Sequence, residues 1–226
     1  VMREKRGIKM STMQTRLHYL SSFWDFLNSE ELIRSNPVKK VGALKLEKTM
    51  KKPFAAEELE ALREGCKELR DRALVEFLYS TGVRVSELAA LNVADIEMGK
   101  QELIVYGKGS KERKTYLTDS AKFHLRRYLQ ERDAKPDEPL FVTLDAPHDR
   151  LSVAGIQYML RQLGRRAGVT GVHPHRFRRT IATDLLNRGM PIEQVKEFLG
   201  HEKLDTTMIY CAVRAESVKA SHRKYA

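Results

Sequence analysis

Cysteine is scarce in this chain, with 2 in 226 residues, Cys66 and Cys211. They lie far apart and match no metal-ligand spacing, so a disulfide scaffold and a structural zinc site are excluded and two reduced thiols are expected. Apolar runs long enough to cross a bilayer are lacking too, which leaves no place for a membrane partner. The opening Val1-Met2-Arg3-Glu4-Lys5-Arg6 has no apolar stretch behind it and does not read as a secretory signal. Internal repeats and low-complexity tracts are missing, which excludes solenoids. No cluster of Asp and Glu suggests a bound metal, and no cofactor is expected.

What the chain has in excess is positive charge. It carries 41 Lys and Arg against 30 Asp and Glu, a net of +11, with an ordinary 42% of hydrophobic residues. Residues 1–52 alone hold 12 basic and 5 acidic side chains. For a soluble chain of this length that balance fits a polyanionic partner, nucleic acid before membrane. Charge alone fits a plain solvated basic surface equally well.

The pattern along the chain is mainly helical. Ser11-Thr12-Met13-Gln14 reads as a capping box, followed by an apolar stripe of Leu17, Leu20, Trp24 and Leu27 at helical spacing. Asn36-Pro37 ends the next short segment. Residues 39–52 contain six lysines and little periodicity and read as a basic linker. Helices are expected at 57–69 and 71–80, with Gly82 as a C-cap, and another from near Ser86. Residues 102–106 and 113–117 read as strands around the turn Gly107-Lys108-Gly109-Ser110, and Ile96 fits a third short strand. Further helices are expected from Thr118-Asp119 to about 133, from Ser152 to about 167, over 175–187, over 191–199 with a stop at Gly200, and within 205–224. The fold class is α+β: mainly α with a small antiparallel β-sheet.

Five segments carry the candidate chemistry. Thr81-Gly82-Val83-Arg84-Val85-Ser86-Glu87-Leu88 places an arginine at a helix junction, with Glu87 one turn on. Gly107-Lys108-Gly109 places a lysine at a hairpin tip. His175-Arg176-Phe177-Arg178 puts His175 and Arg178 three apart on one helix face. Leu199-Gly200-His201 sets a histidine just past a helix end, and Thr206-Thr207-Met208-Ile209-Tyr210 places a tyrosine nine residues after that histidine. Singly, each has a plain reading: Arg84 as a surface arginine, Lys108 as hairpin chemistry with Lys111 as a rival, His175 beside His173, Arg178 between Arg176 and Arg179 on a phosphate-binding face, and Tyr210 as a core tyrosine.

Together, in this order and spacing, the segments resemble the tyrosine recombinases, also called the phage integrase family, from about Ser11 to the C-terminus. The resemblance selects Arg84, Lys108, His175, Arg178, His201 and Tyr210 as the catalytic set, with Glu87 orienting them. It implies that Arg84 and Arg178 hold the non-bridging oxygens of a scissile phosphate and that His175 and His201 add hydrogen bonds and proton transfer. Tyr210 then attacks phosphorus to give a 3′-phosphotyrosyl enzyme, and Lys108 protonates the leaving 5′ hydroxyl, without metal or ATP. Two departures stand out. Arg179 follows the second arginine, where the family often has histidine. Only the second half of the family's four-helix core-binding domain is recognisable. The implied organisation is a partial core-binding domain over 1–46, the end of a basic linker at 47–52 and a catalytic domain over 53–226.

The resemblance also implies double-stranded DNA as substrate, clamped by the two domains, with Arg161, Arg165 and Arg166 as candidate backbone contacts. A homotetramer on two DNA sites, accessory DNA-bending or directionality factors and a cytoplasmic, nucleoid-associated location follow from it. Residues 216–226 are expected to dock on a neighbouring subunit. Integration or excision of a mobile element is the leading expectation for the biological setting. Dimer resolution or inversion by the same chemistry, type IB topoisomerase-like strand passage, a non-catalytic DNA-binding protein and a metal-dependent nuclease are the competing ones.

Overall fold

The computed structural model describes residues 8, 10–42, 52–106 and 112–201. They divide between two compact units, Val1–Lys51 and Lys52–Ala226.

The first unit is a helix and a return. Helix α1 spans Met10–Ser29, so Ser11 lies inside it and does not cap it. Thr15 Oγ1 donates to the Ser11 carbonyl at 3.0 Å, one turn back, as a hydroxyl within a helix does. Of the expected stripe, Leu17, Trp24 and Leu27 are half-buried and Leu20 is exposed. The chain then turns back. Asn36 is buried and donates to the Ser21 carbonyl (3.0 Å), while its Oδ1 accepts from the Val38 amide (2.8 Å). This cap and Pro37 start a 3₁₀ turn over Pro37–Val41. Lys39 and Lys40 therefore belong to ordered structure, and Lys39 pairs with Asp25 at 2.9 Å. The expected linker overruns this turn because local capping outweighs the lysine-rich composition.

The second unit is built around a central helix. Helix α2 covers Ala56–Glu64 and α3 covers Leu69–Thr81. The single helix expected over 57–69 is thus cut short at Gly65, and Leu69 opens the next one. Space requires glycine at this C-cap: a Cβ on Gly65 would lie within 3.3 Å of the Ala61 carbonyl, Leu163 and Ala167. Helix α3 is buried nearly all round, as a helix at the centre of a bundle must be. It packs against α5 (Asp119–Glu131) and α7 (Pro174–Asn187). Helix α4 (Val85–Ala90) packs on α6 (Val153–Arg166), and α8 (Ile192–Leu199) packs on α7. Thr118 and Ser152 cap α5 and α6 through their hydroxyls, as their positions in the sequence require. Other helix ends fall within one or two residues of expectation.

A three-stranded antiparallel sheet lies between α4 and α5 in the chain. Strands β1 (Ile96–Glu97), β2 (Glu102–Tyr106) and β3 (Glu112–Tyr116) run in the order β1-β2-β3. Leu103 pairs with Thr115 and Val105 with Arg113, so these four side chains share the inner face. Hydroxyls fasten β3 to the end of α3. Thr115 Oγ1 donates to the Thr81 carbonyl at 2.8 Å, and Ser80 Oγ donates to the Tyr116 carbonyl at 3.1 Å. Lys108 and Lys111 lie outside the described residues, as does the whole segment after His201.

One core joins α2, α3, α5, α6 and the start of α7, with Leu62, Leu74, Phe77, Leu160 and Phe177 fully buried. A smaller one (Ala182, Leu186, Val195 and Leu199) locks α8 onto α7. Phe177 lies next to Arg178 and packs against Phe54 in a tilted pair with ring centroids 4.8 Å apart. Phe177→Ala should therefore destabilise the chain by about 3–5 kcal/mol, read as a lower urea midpoint. A loss under about 1 kcal/mol would show that α7 is held chiefly by its polar contacts.

Candidate active site

Three chain junctions meet at one place: the turn from α3 to α4, the first half of α7, and the end of α8. Gly82 and Gly200 make two of these turns possible. Both are left-handed caps, with φ of +57° and +65°. A Cβ on Gly82 would meet Leu199 at 3.0 Å, and one on Gly200 would meet Arg113 Cδ at 2.7 Å. Glycine is needed at both for conformation and for space.

Arg84 is the N-cap of α4 and Glu87 is its N3 residue. Glu87 Oε2 accepts the Arg84 amide at 2.7 Å, one half of a capping box. The same carboxylate binds guanidinium groups. Arg84 Nη1 donates to Oε1 at 2.8 Å, Arg113 Nη1 to Oε1 at 2.8 Å and Arg113 Nη2 to Oε2 at 2.7 Å. Arg84 Nη2 reaches the Gly200 carbonyl at 3.0 Å, and Arg113 Nε reaches that of Phe198 at 3.2 Å. Arg178 is buried and donates from Nη1 to the Gly82 carbonyl and from Nη2 to that of Leu199. Arginine side chains thus tie these three places together, and two of them, Arg84 and Arg113, share one carboxylate.

Burial alone would raise the pKa of Glu87, but the Arg113 side chain and the Arg84 amide hold it down to about 2. It is a carboxylate throughout the physiological range. Burial also disfavours the charged form of His201, and the neighbouring Arg178, Arg84 and Arg113 reinforce this, lowering its pKa to about 4. Near neutral pH its ring is therefore uncharged and carries one N–H.

His175 is exposed in the first turn of α7, one turn before Arg178. It lines a cavity of about 890 Å³ together with Val85, Arg161, Arg165 and His173. Arg166 forms an ion pair with Asp71 at 3.4 Å, which accounts for it structurally. The neighbours of Arg178 are used elsewhere. Arg176 bonds Glu58 and the Thr170 carbonyl and lies over Phe54 at 4.1 Å, and Arg179 donates to the Lys52 carbonyl. Of the residues picked from the sequence, Arg84, Glu87, Arg178 and His201 are brought together here, and His175 stands beside them. Lys108 and Tyr210 are outside the described residues. Arg113 was missed. Its signal was its parity: it alternates in register with Thr115 on the inner face of β3, a place where a charged residue needs a buried partner.

Guanidinium N–H groups held in place by backbone carbonyls, next to the cavity that Val85 and His175 line, suit a tetrahedral or pentavalent oxyanion. Residues 48–217 match the model of the phage integrase family. The tyrosine recombinase XerC of Leptospira interrogans is 34% identical over 98% of this chain and 74% of its own length. XerC of Listeria monocytogenes is 36% identical over 98% of this chain and 78% of its own. Among solved structures, the XerA recombinase superposes with a TM-score of 0.69 at 25% identity, covering 99% of this chain and 79% of that one. The Tn1549 transposon integrase in complex with a circular intermediate DNA gives 0.79 at 20% identity, covering 100% and 82%. The chain belongs to the phage integrase family, the tyrosine recombinases, which are DNA strand-exchange enzymes.

The lowered pKa of His201 has a measurable sign. The unfolded ring binds a proton below about 6.5, whereas the folded ring resists until about 4. The stabilisation is complete above the unfolded pKa, and acidification towards about 4 removes it. Between pH 7 and pH 5 this group alone should cost about 2 kcal/mol of unfolding free energy. Glu87 contributes only at lower pH. His201→Gln should flatten that part of the profile in urea titrations. An unchanged slope would show that His201 is not held neutral.

Proposed function

We propose that this chain cleaves and rejoins double-stranded DNA through a covalent 3′-phosphotyrosyl intermediate, with Arg84, Lys108, His175, Arg178, His201 and Tyr210 as the catalytic residues. The supporting observation is the convergence of Arg84, Arg178 and His201 on the Gly82 and Gly200 turns. Arg84 and Arg178 bind the non-bridging oxygens and stabilise the charge that grows in the pentavalent transition state. Backbone carbonyls and Glu87 fix both guanidiniums beforehand, so little reorganisation accompanies the reaction. Neutral His201 donates a hydrogen bond to the phosphate, and His175 acts from the cleft beside it.

Tyr210 Oη forms a bond to phosphorus as the bond to the 5′ oxygen breaks. Lys108 gives that oxygen its proton, and the tyrosyl proton leaves to the site's bases. The reverse step with another strand's 5′ hydroxyl rejoins the DNA. The phosphodiester's free energy is retained in the phosphotyrosine, so no nucleotide cofactor is needed.

The second unit is the catalytic domain in this reading. The first, with the basic segment up to residue 52, completes the clamp on the duplex as part of a core-binding domain. Exposed Arg161 and Arg165 on α6 contact the DNA backbone beside the cleft, which makes affinity fall with salt. Strand exchange between two sites calls for four copies of the chain, with residues 216–226 docked on a neighbour. Of the biological settings open to this chemistry, the XerC relatives favour resolution of chromosome or plasmid dimers over integration of a mobile element.

A nicked suicide duplex carrying a candidate site tests the chemistry. The wild type should form a protein–DNA adduct that survives denaturation, and Tyr210→Phe should form none. Arg84→Ala or Arg178→Ala should lower its rate by at least about 100-fold. An adduct that persists in Tyr210→Phe would refute the assigned nucleophile. In cells, loss of the gene should let plasmid multimers accumulate. Unchanged multimer content together with lost element excision would reverse the choice of setting.

A further inference from the structure

The centre contains a third arginine that the six-residue catalytic set does not include. Arg113 comes from the inner face of β3, and its side chain is only 8% exposed. Its fork grips both oxygens of Glu87, its Nε holds the Phe198 carbonyl, and its Cδ lies where a Cβ on Gly200 would have to go. It thus touches the carboxylate that orients Arg84 and the turn that presents His201. Such a buried pair adds little net stability against an apolar replacement, because desolvation offsets the attraction. Its geometric consequence is larger. By occupying both carboxylate oxygens, Arg113 prevents Glu87 from taking the Arg84 guanidinium in a fork of its own. Arg84 keeps a single side-chain contact to Glu87, and its second amino group turns to the Gly200 carbonyl.

We propose that Arg113 is a positioning residue of the strand-cleavage centre, which acts through Glu87 and the Gly200 turn to set the orientation of Arg84 and His201. The proposal rests on the catalytic reading of Arg84 above. A lysine at position 113 keeps the charge but cannot hold two carboxylate oxygens and a carbonyl in one plane.

The test uses the whole chain with Arg113→Lys, Glu87→Gln and the double variant. Lysine retains a cation beside Glu87, so the folded protein is available for kinetics. Adduct formation on the suicide duplex is followed at saturating protein, and DNA affinity is measured separately by anisotropy. Arg113→Lys should slow adduct formation by about 10- to 100-fold, while affinity stays within about threefold. The double variant should be no slower than the slower single one, because both act through one carboxylate. An unchanged rate, a loss confined to affinity, or single effects that multiply in the double variant would each overturn the proposal. The Arg84 Nε–H resonance, read by NMR without DNA, separates this from the catalytic reading. It should shift in Arg113→Lys whether or not the wild type cleaves DNA, and an unmoved resonance overturns the positioning role on its own. A shifted resonance in a protein that forms no adduct upholds that role and refutes the catalytic reading alone.

Discussion

The Glu87 carboxylate, almost removed from water, receives hydrogen bonds from an amide and two guanidiniums, and the centre is arranged around it. A lone carboxylate at that depth would be expelled or protonated. With Arg84 and Arg113 on its oxygens it stays charged, and it fixes in return where two of the three central arginines point. The third, Arg178, is fixed by the carbonyls of Gly82 and Leu199. The excess of cations over anions that remains suits the oxyanion transition state of the proposed strand cleavage, and it is set by the protein's own contacts.

The fold serves this arrangement through its central helix. Helix α3 is buried on nearly all sides, so its C-terminal turn is a stable origin for Gly82 and Arg84. Hydroxyls of Thr115 and Ser80 bolt β3 to the same turn, which brings Arg113 to Glu87. Tyr79 OH, one turn back on α3, donates to Asp184 of α7 at 2.7 Å, so the helix carrying Arg178 is tied to the same frame. The small apolar cluster between α7 and α8 then delivers Leu199, Gly200 and His201.

Much of this was legible in the sequence. Helical spacing, caps such as Thr118 and Ser152, and the glycine stops at 82 and 200 located most of the second unit. The order of the motif segments picked out Arg84, Glu87, Arg178 and His201, which the structure places together. Two of the errors share one cause. Gly65 is crowded by Leu163 and Ala167, and Asn36 is held by the Ser21 carbonyl, contacts outside the window in which pattern is read; the start of α1 at Met10, before Ser11, is a slip of local register. Arg113 escaped for a similar reason. On the edge strand of a small sheet an arginine reads as solvent-facing, and its pairing with Val105 shows that it points inward.

The centre depends on Glu87 being an ionised carboxylate bound by two arginines. A direct measurement is the carbon chemical shift of its side-chain carboxyl, followed by NMR in the free protein from pH 7 to pH 4. The shift should stay at the ionised value over that range, since the arginines and the Arg84 amide hold the group's pKa down to about 2. A midpoint near 4.5, the value for an unperturbed glutamate, would contradict it, because the guanidiniums could not then be holding the carboxylate as described.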